Sequence, residues 1–369
     1  MNRTENATTQ PFLPQPVFNR WDVAPLGWYL LGPAAEIRPR ALRTYTLCGQ
    51  RVVVFRGEDG SLRALDGYCP HMGTDLGHGK VVGNEIRCFF HHWRFDGAGR
   101  CTDIPCGERV PARARLAAYD VRERYGFVWI WPDTVADGPV PAFPELEDSE
   151  IYAVPGRTYE RGCHPTVSMI NGLDAQHLRT VHKLAIVMEL SVAEASGGRV
   201  AEFRMAGPQP AETVFQRLVA RISGGRYAYS MRYVDATVGL LRTLEDVTWF
   251  GRWPAEPTRM IFAYTPLAPG RTQVQPLYIA RKPASLLGRL AARARLLVMA
   301  GGFYWLRDED GRVYDNIRFQ PNALLSIDAG VARFLAYVNR LRPSRWGMAP
   351  ESWGGGGPPP PQRLPGDGA

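Results

Sequence analysis

Two pairs of metal-seeking side chains stand close together early in the chain. Cys69 and His71 are followed by Cys88 and His91, all within YCPHMGTDLGHGKVVGNEIRCFFHHWRFDGAGRC, which runs from Tyr68 to Cys101. Two thiolates and two imidazoles can hold one zinc ion tetrahedrally, or a [2Fe-2S] cluster with both sulfurs on one iron and both histidines on the other. A zinc finger usually takes two Cys from one loop and two His from a helix, whereas here each loop supplies one of each. That mixed arrangement suits the cluster. Gly73, Gly77, Gly79, Gly97 and Gly99 let the backbone turn tightly around sulfur atoms. A module stapled by zinc is the competing reading.

A second set of candidate ligands lies further along. His177 and His182 sit in NGLDAQHLRTVH, with Asp174 beside them. Residues five apart point about 140° away from each other on an ideal helix, so a shared metal requires a helix end, a bulge or a bend. An iron that activates dioxygen takes two imidazoles and one carboxylate and keeps positions open. Downstream, RDEDGRVYDNIRF offers Asp308, Glu309, Asp310 and Asp315. Taken alone, the two histidines read as satisfied structural residues, and Asp308 and Glu309 as a solvated acidic run at a helix start.

With its C-x-H and C-x2-H loops, the first segment resembles the Rieske family, departing from it only in Phe89 and His92, where many members carry Pro and Gly. Asp174, His177 and His182 likewise match the D-x2-H-x4-H run of Rieske oxygenases, and Asp310, Val313, Asp315 and Asn316 match their later acidic pattern. The resemblance implies Cys69, His71, Cys88 and His91 as cluster ligands, and His177, His182 and Asp310 as ligands of a mononuclear Fe(II). It implies Asp174 as an electron relay between subunits of a head-to-tail homotrimer, and Asn171 as a weaker candidate beside the iron. Electrons would come from NAD(P)H only indirectly, through a separate reductase or ferredoxin, since no G-x-G-x-x-G nucleotide loop follows a strand. The expected activity is that of an oxygenase that hydroxylates, N-oxygenates or oxidatively cyclises its substrate with O2. CFFHHWRFDGAGRCTDIP is most similar to aminopyrrolnitrin oxygenase and the prodiginine-cyclising enzymes, then to 3-ketosteroid 9α-hydroxylases. A bulky, apolar, multi-ring substrate follows, with natural-product biosynthesis as the setting. The alternatives are steroid or aromatic catabolism, and an electron carrier with no oxygenase activity.

The elements that must position these residues are legible as runs of β-formers. Tyr45 to Leu47, Val52 to Phe55, Leu62 to Leu65 and the apolar Tyr125 to Trp131 predict a small antiparallel β domain. Tyr227 to Tyr233, Arg259 to Tyr264 and Gln273 to Ile279, with helices at 167–186, 284–304 and 328–342, predict an α+β domain, a curved antiparallel sheet covered by helices. The expected division is a flexible arm at 1–20, a [2Fe-2S] domain at 21–135, a Pro- and acid-rich linker at 136–149, an iron domain at 150–343 and a disordered Gly/Pro tail at 344–369. The pocket is expected from 175–250 and 295–325.

Between Ser285 and Leu306, arginines alternate with leucines. The stretch reads as a core-facing helix with solvated arginines, ahead of one that lies on a membrane surface or docks a partner. The 369 residues are 45% hydrophobic, enough for two cores, and a net charge of +8 is scattered rather than blocked, which argues against nucleic acid and suits an acidic redox partner. Six cysteines suggest no disulfide framework, MNRTENATTQPFLPQP lacks an apolar leader core, and no apolar run is long enough to span a membrane. A cytoplasmic protein is expected.

Overall fold

The structure is a computed structural model, and it describes residues 17–182, 189–282 and 285–348. The strands in chain order are β1 (Tyr29–Pro33), β2 (Leu42–Leu47), β3 (Gln50–Arg56), β4 (Leu62–Asp66), β5 (Lys80–Val82), β6 (Glu85–Arg87), β7 (Arg94–Phe95), β8 (Cys101–Asp103), β9 (Ala118–Arg124) and β10 (Phe127–Trp131) in the first unit. The second unit adds β11 (Ile151–Pro155), β12 (Tyr159–Arg161), β13 (Glu189–Ala195), β14 (Val200–Pro208), β15 (Arg226–Val234), β16 (Val238–Thr243), β17 (Thr248–Trp249), β18 (Trp253–Pro254), β19 (Thr258–Ala268) and β20 (Arg271–Arg281). Its helices are α1 (Pro165–Met169), α2 (Ala175–Thr180), α3 (Val214–Ile222), α4 (Leu286–Tyr314) and α5 (Ala329–Arg340).

In the first unit β1, β10, β9, β4, β3 and β2 form one antiparallel sheet, and β5 to β8 a smaller one that carries the two cysteine loops. The two-residue period of a strand decides what each side chain supports. On β3, Val52 and Val54 enter the core under β1 and β10, whereas Val53 and Phe55 enter the core that also contains Cys69, Leu76, Ile86, Cys88 and Phe95. The cysteine loops therefore stand on the fully buried middle of β3, Val52 to Phe55.

The second unit is built on an eight-stranded sheet in the order β11, β20, β19, β16, β15, β14, β13, with β12 also paired to β20, and β17 and β18 form a separate hairpin. Met260, Phe262 and Tyr264 of β19 face a core shared with Phe334, Tyr337 and Val338 of α5, while Ile261 and Ala263 face the first unit. There they meet Trp28, Leu30, Phe127, Trp129 and Trp131. The order of layers is thus small β unit, large sheet, helices. Val140, Phe143 and Leu146, expected in a linker, are buried in that interface core, since the apolar members of VPAFPEL have nowhere else to go. Among the described residues no helix is long and apolar enough to cross a membrane, and all six cysteines are unpaired.

Several expectations need correction. The helix expected at 167–186 is two short helices, α1 and α2, joined by a 3-10 turn at Ile170–Gly172; residues 183–186 lie outside the described residues. A Cβ on Gly172 would stand 2.8 Å from Met231 Cε and 3.0 Å from Tyr233 Oη, so the chain is pressed against the sheet there. The helix expected at 284–304 runs on to Tyr314; residue 284 is outside the described set. Its first half is not core-facing: Leu286, Leu287, Leu290, Leu297 and Val298 are exposed and Leu296 is buried. Of the arm, residues 1–16 lie outside the described residues, yet Val17 and Phe18 are buried in the second core. Of the tail, residues 349–369 lie outside them, whereas Trp346 is buried in the first core. Those short apolar pieces are anchored by the aromatic surface they cover.

Candidate metal centres

The first loop leaves β4 and folds on itself: Cys69 N donates to Thr74 O at 2.8 Å and Gly73 N to Cys69 O at 2.9 Å. Asp75 holds its far side, accepting from Gly77 N at 2.7 Å and pairing with Arg51 at 2.8 Å. The second loop leaves β6 and closes when Cys88 N donates to Trp93 O at 2.9 Å. A Cβ on Gly79 would lie 2.5 Å from Arg87 O, so glycine lets the two loops meet. His92 holds φ +60°, in the left-handed region, which is why glycine is the easier residue at this position.

Cys69 and Cys88 are buried, whereas His71 and His91 are exposed at the tip with ring centroids 4.6 Å apart. His71 is stacked on Trp93 at 4.3 Å. Burial, with the Cys88 thiol alongside, pushes the Cys69 thiol up to about 11. Thiolates in such a place need a cation to offset their charge. A cluster with sulfur ligands on the inner iron and histidines on the outer one fits this donor set. Tyr68, Met72, Phe89 and Phe90 surround the tip as exposed apolar side chains.

The second site is assembled by the break between α1 and α2. Asp174 caps α2, its Oδ1 accepting from Gln176 N at 2.9 Å and His177 N at 3.2 Å. Thr180 ends the helix, and a wide turn follows in which His182 N approaches His177 O at 3.4 Å. That wide turn brings round the second imidazole that an ideal helix would have pointed away.

Each remaining hydrogen bond leaves one donor atom free for a metal. His177 Nδ1 donates to the Asp174 carbonyl at 2.5 Å, and His182 Nδ1 donates to Glu309 Oε2 at 2.7 Å. Asn171 Nδ2 donates to Asp310 Oδ2 at 2.7 Å. Two Nε2 atoms and Asp310 Oδ1 are left, with His182 Nε2 at 3.0 Å and His177 Nε2 at 3.9 Å from that oxygen. Donor atoms of the three residues lie within 4.8 Å of one another, and all three residues are buried. Burial lowers the His177 pKa, keeping the ring in the neutral form that binds metals. Three lone pairs converging in a buried space are a fit for a cation, and two histidines with one carboxylate suit ferrous iron.

Glu309 is the residue that sequence reasoning missed. Reading it as solvated overlooked that α4 carries Asp310 inward, which swings its neighbour against His182. Asp308 is exposed and paired with Arg307. His164 is a satisfied structural histidine: Nδ1 lies 2.7 Å from Thr166 Oγ1 and Nε2 donates to Arg20 O at 3.0 Å.

A cavity of 420 Å³ opens beside the second site. Its walls are mainly aromatic and aliphatic, with Tyr227, Tyr229, Met231, Leu241, Phe262 and Phe303 among them. It reaches beyond the expected windows to Tyr159, Arg161, Ser168 and Tyr264, which the strand order brings in from β12, α1 and β19. Arg161 is buried, lies over the Tyr159 ring at 4.6 Å and donates from Nη2 to Arg307 O at 2.8 Å.

Residues 27–119 match the family described as the Rieske [2Fe-2S] domain. This stretch is a Rieske domain. Curated relatives include cholesterol 7-desaturase nvd of Bombyx mori, 35% identical over 173 residues that make up 45% of this chain and 37% of the relative. A probable 3-ketosteroid-9-alpha-monooxygenase, oxygenase component, of Rhodococcus rhodochrous is 37% identical over 163 residues, 42% of this chain and 41% of the relative. The matches span well under half the length of these relatives. Among solved structures, dicamba monooxygenase bound to 3,6 dichlorosalicylic acid superposes with a TM-score of 0.64 at 21% identity, covering 87% of this chain and 97% of that chain. NdmB of Pseudomonas putida CBB5 gives 0.62 at 17% identity, covering 85% and 90%. The matched 85–87% of the chain, which takes in both units, shares their fold.

Proposed function

We propose that the chain is the oxygenase component of a two-centre iron enzyme that oxidises a bulky apolar multi-ring molecule with O2 and externally supplied electrons. The observation that carries this reading is the set of two Nε2 atoms and one Oδ1 at the edge of a 420 Å³ aromatic cavity, in one chain with a Rieske domain. An electron carrier has no use for either the cavity or the buried donor set. When bound, the iron would supply dioxygen activation and the cluster the electrons for it.

The chain's own residues supply the rest. Cys69, His71, Cys88 and His91 would hold the cluster, and His177, His182 and Asp310 the iron. Asn171 fixes which carboxylate oxygen faces the metal, and Glu309 fixes the His182 tautomer. Arg161 and Arg307 give a mainly aromatic and aliphatic cavity fixed cations in its lining, so the substrate carries an oxygen function at one end. His71 and His91 at an exposed, apolar-rimmed tip suit docking of a reductase or ferredoxin and contact with the next subunit of a head-to-tail trimer. Asp174, partly exposed beside His177, is the relay across that contact. The short match around CFFHHW supports a natural-product substrate; the names of two relatives support a steroid.

Metal analysis tests the reading first: about three irons and two sulfides per chain are expected. His177→Ala should keep the visible absorption of the cluster, lose one iron and stop O2 uptake. A panel of steroids and multi-ring natural products, with a surrogate reductase and mass spectrometry, then identifies the substrate. Two irons per chain in the wild type, or zinc in place of the cluster, refutes the proposal.

A further inference from the structure

We propose that α3, the β17–β18 hairpin and the first half of α4 form a surface that docks on an anionic lipid bilayer. Leu287 is 80% exposed, Leu290 64%, Leu297 73% and Val298 78%, far beyond what a lone surface leucine needs. With Leu286, Ala294 and Trp305 they fall on one side of the helix and make one apolar stripe about 30 Å long. The opposite side of the helix is the one tied to the protein, through Arg295 and Glu256 at 2.8 Å and Phe303 against Phe262.

The neighbouring elements are exposed and apolar in the same way. Val214 and Leu218 project from α3, and Trp249, Phe250 and Trp253 from the hairpin. Phe250 N donates to Ile222 O at 2.6 Å and Thr248 N to Ser223 O at 3.2 Å, which fastens the hairpin to the end of α3. Glu256, just past the hairpin, holds α4. The hairpin thus adjoins α3, and the segment that follows it is tied to α4.

Charge identifies what covers them. α3, the hairpin and residues 286–306 contain no Asp or Glu, and Arg217, Arg221, Arg252, Arg289 and Arg293 are exposed there, while Arg295 is paired with Glu256 on the protein-facing side. A second copy meeting the first through this face would set arginine rims against each other. An electron donor belongs at the cluster tip, on the other unit. Leu and Trp flanked by arginines, with Glu256 already paired to Arg295, is the composition of a helix lying in a membrane interface, where arginine stems run along the apolar region and their heads reach phosphates.

The position also has a use, which rests on the substrate class proposed above. Tyr227 and Thr243, at the strand ends next to α3 and the hairpin, and Phe303 and Leu306 of α4 all line the cavity. A molecule dissolved in the bilayer would pass into it with little exposure to water.

Flotation of the full cluster-loaded chain with vesicles tests the docking without any turnover. The wild type should float with phosphatidylcholine vesicles containing phosphatidylserine and far less with phosphatidylcholine alone. Leu290→Asp with Leu297→Asp should remain in the soluble fraction, with cluster absorption and oligomeric size unchanged. Arg289→Ala with Arg293→Ala should weaken binding to anionic vesicles on the order of tenfold or more. Two results overturn the proposal: wild type that does not float, or wild type and leucine variant that float equally. If instead the leucine variant changes oligomeric size and the wild type ignores vesicles, the face is a contact between copies. Oxidation of a water-soluble substrate, or of none, would bear on the substrate reading and leave the flotation result standing.

Discussion

Replacing Glu309 by Gln removes one negative charge from the partner of His182 and little else, because the two side chains are nearly isosteric. The wild-type bond, 2.7 Å from Nδ1 to Oε2, fixes the tautomer that leaves Nε2 for the metal. Hydrogen bonds to charged groups are worth about 1.5–3 kcal/mol. The Glu309 side chain is 31% exposed, so solvent screening puts the loss at the low end. That corresponds to about tenfold weaker iron binding, the low end of what loss of such an outer partner costs. The assay is ferrous iron titration against a competing chelator, on protein whose cluster absorption serves as an internal control. Glu309→Asp, which keeps the charge on a shorter stem, should recover part of the affinity. Asp308→Asn, one residue earlier and 68% exposed, should change nothing. Wild-type affinity in Glu309→Gln, or an equal loss in Asp308→Asn, would refute the idea that Glu309 positions the ring.

Other consequences are open to measurement. Asp174→Asn keeps a side-chain oxygen able to cap α2, so both metals should load normally while single-turnover oxidation slows; a normal rate removes the proposed relay. Burial lowers the His164 pKa from 6.5 to about 3. The unfolded chain then binds the extra proton first, so stability is complete above pH 6.5 and falls as pH drops towards 3, by about 2 kcal/mol at pH 5. Urea unfolding of His164→Gln should lose that part of the pH slope, and parallel slopes would show that the ring is not responsible. Phe334 is fully buried against Phe18, Phe203 and Tyr233; Phe334→Ala should cost about 3–5 kcal/mol in the same assay, and a loss below 1 kcal/mol would mean that α5 is not packed as described.

The cluster loops were legible because every ligand lies in one stretch of sequence, with glycines where the backbone must turn. The iron site was legible only in part. His177 and His182 announce a metal by type, but their spacing argues against one until the turn after Thr180 is seen. Glu309 and Asn171 gain their roles from α4 meeting the α1–α2 break, a contact between segments more than a hundred residues apart. The first half of α4 misled for a physical reason. A leucine stripe specifies a helix with one apolar face, and nothing in its periodicity says whether protein, lipid or another chain lies opposite. Short buried pieces such as Val17, Phe18 and Trp346 are too brief to show any period at all.

The wedge of Val140, Phe143 and Leu146 between the units, with the tryptophans of β10 pressed on the large sheet, fills the junction with buried apolar side chains. Ser344 N bonds to Ala24 O at 2.8 Å and Met348 N to Trp21 O at 2.8 Å, so the two ends of the described chain clasp one another as well. Both contacts tie the unit that carries the cysteine loops to the unit that carries His177, His182 and Asp310. Under the proposed function, a shorter electron route would come from assembly, and dilution, which separates copies, would then slow turnover.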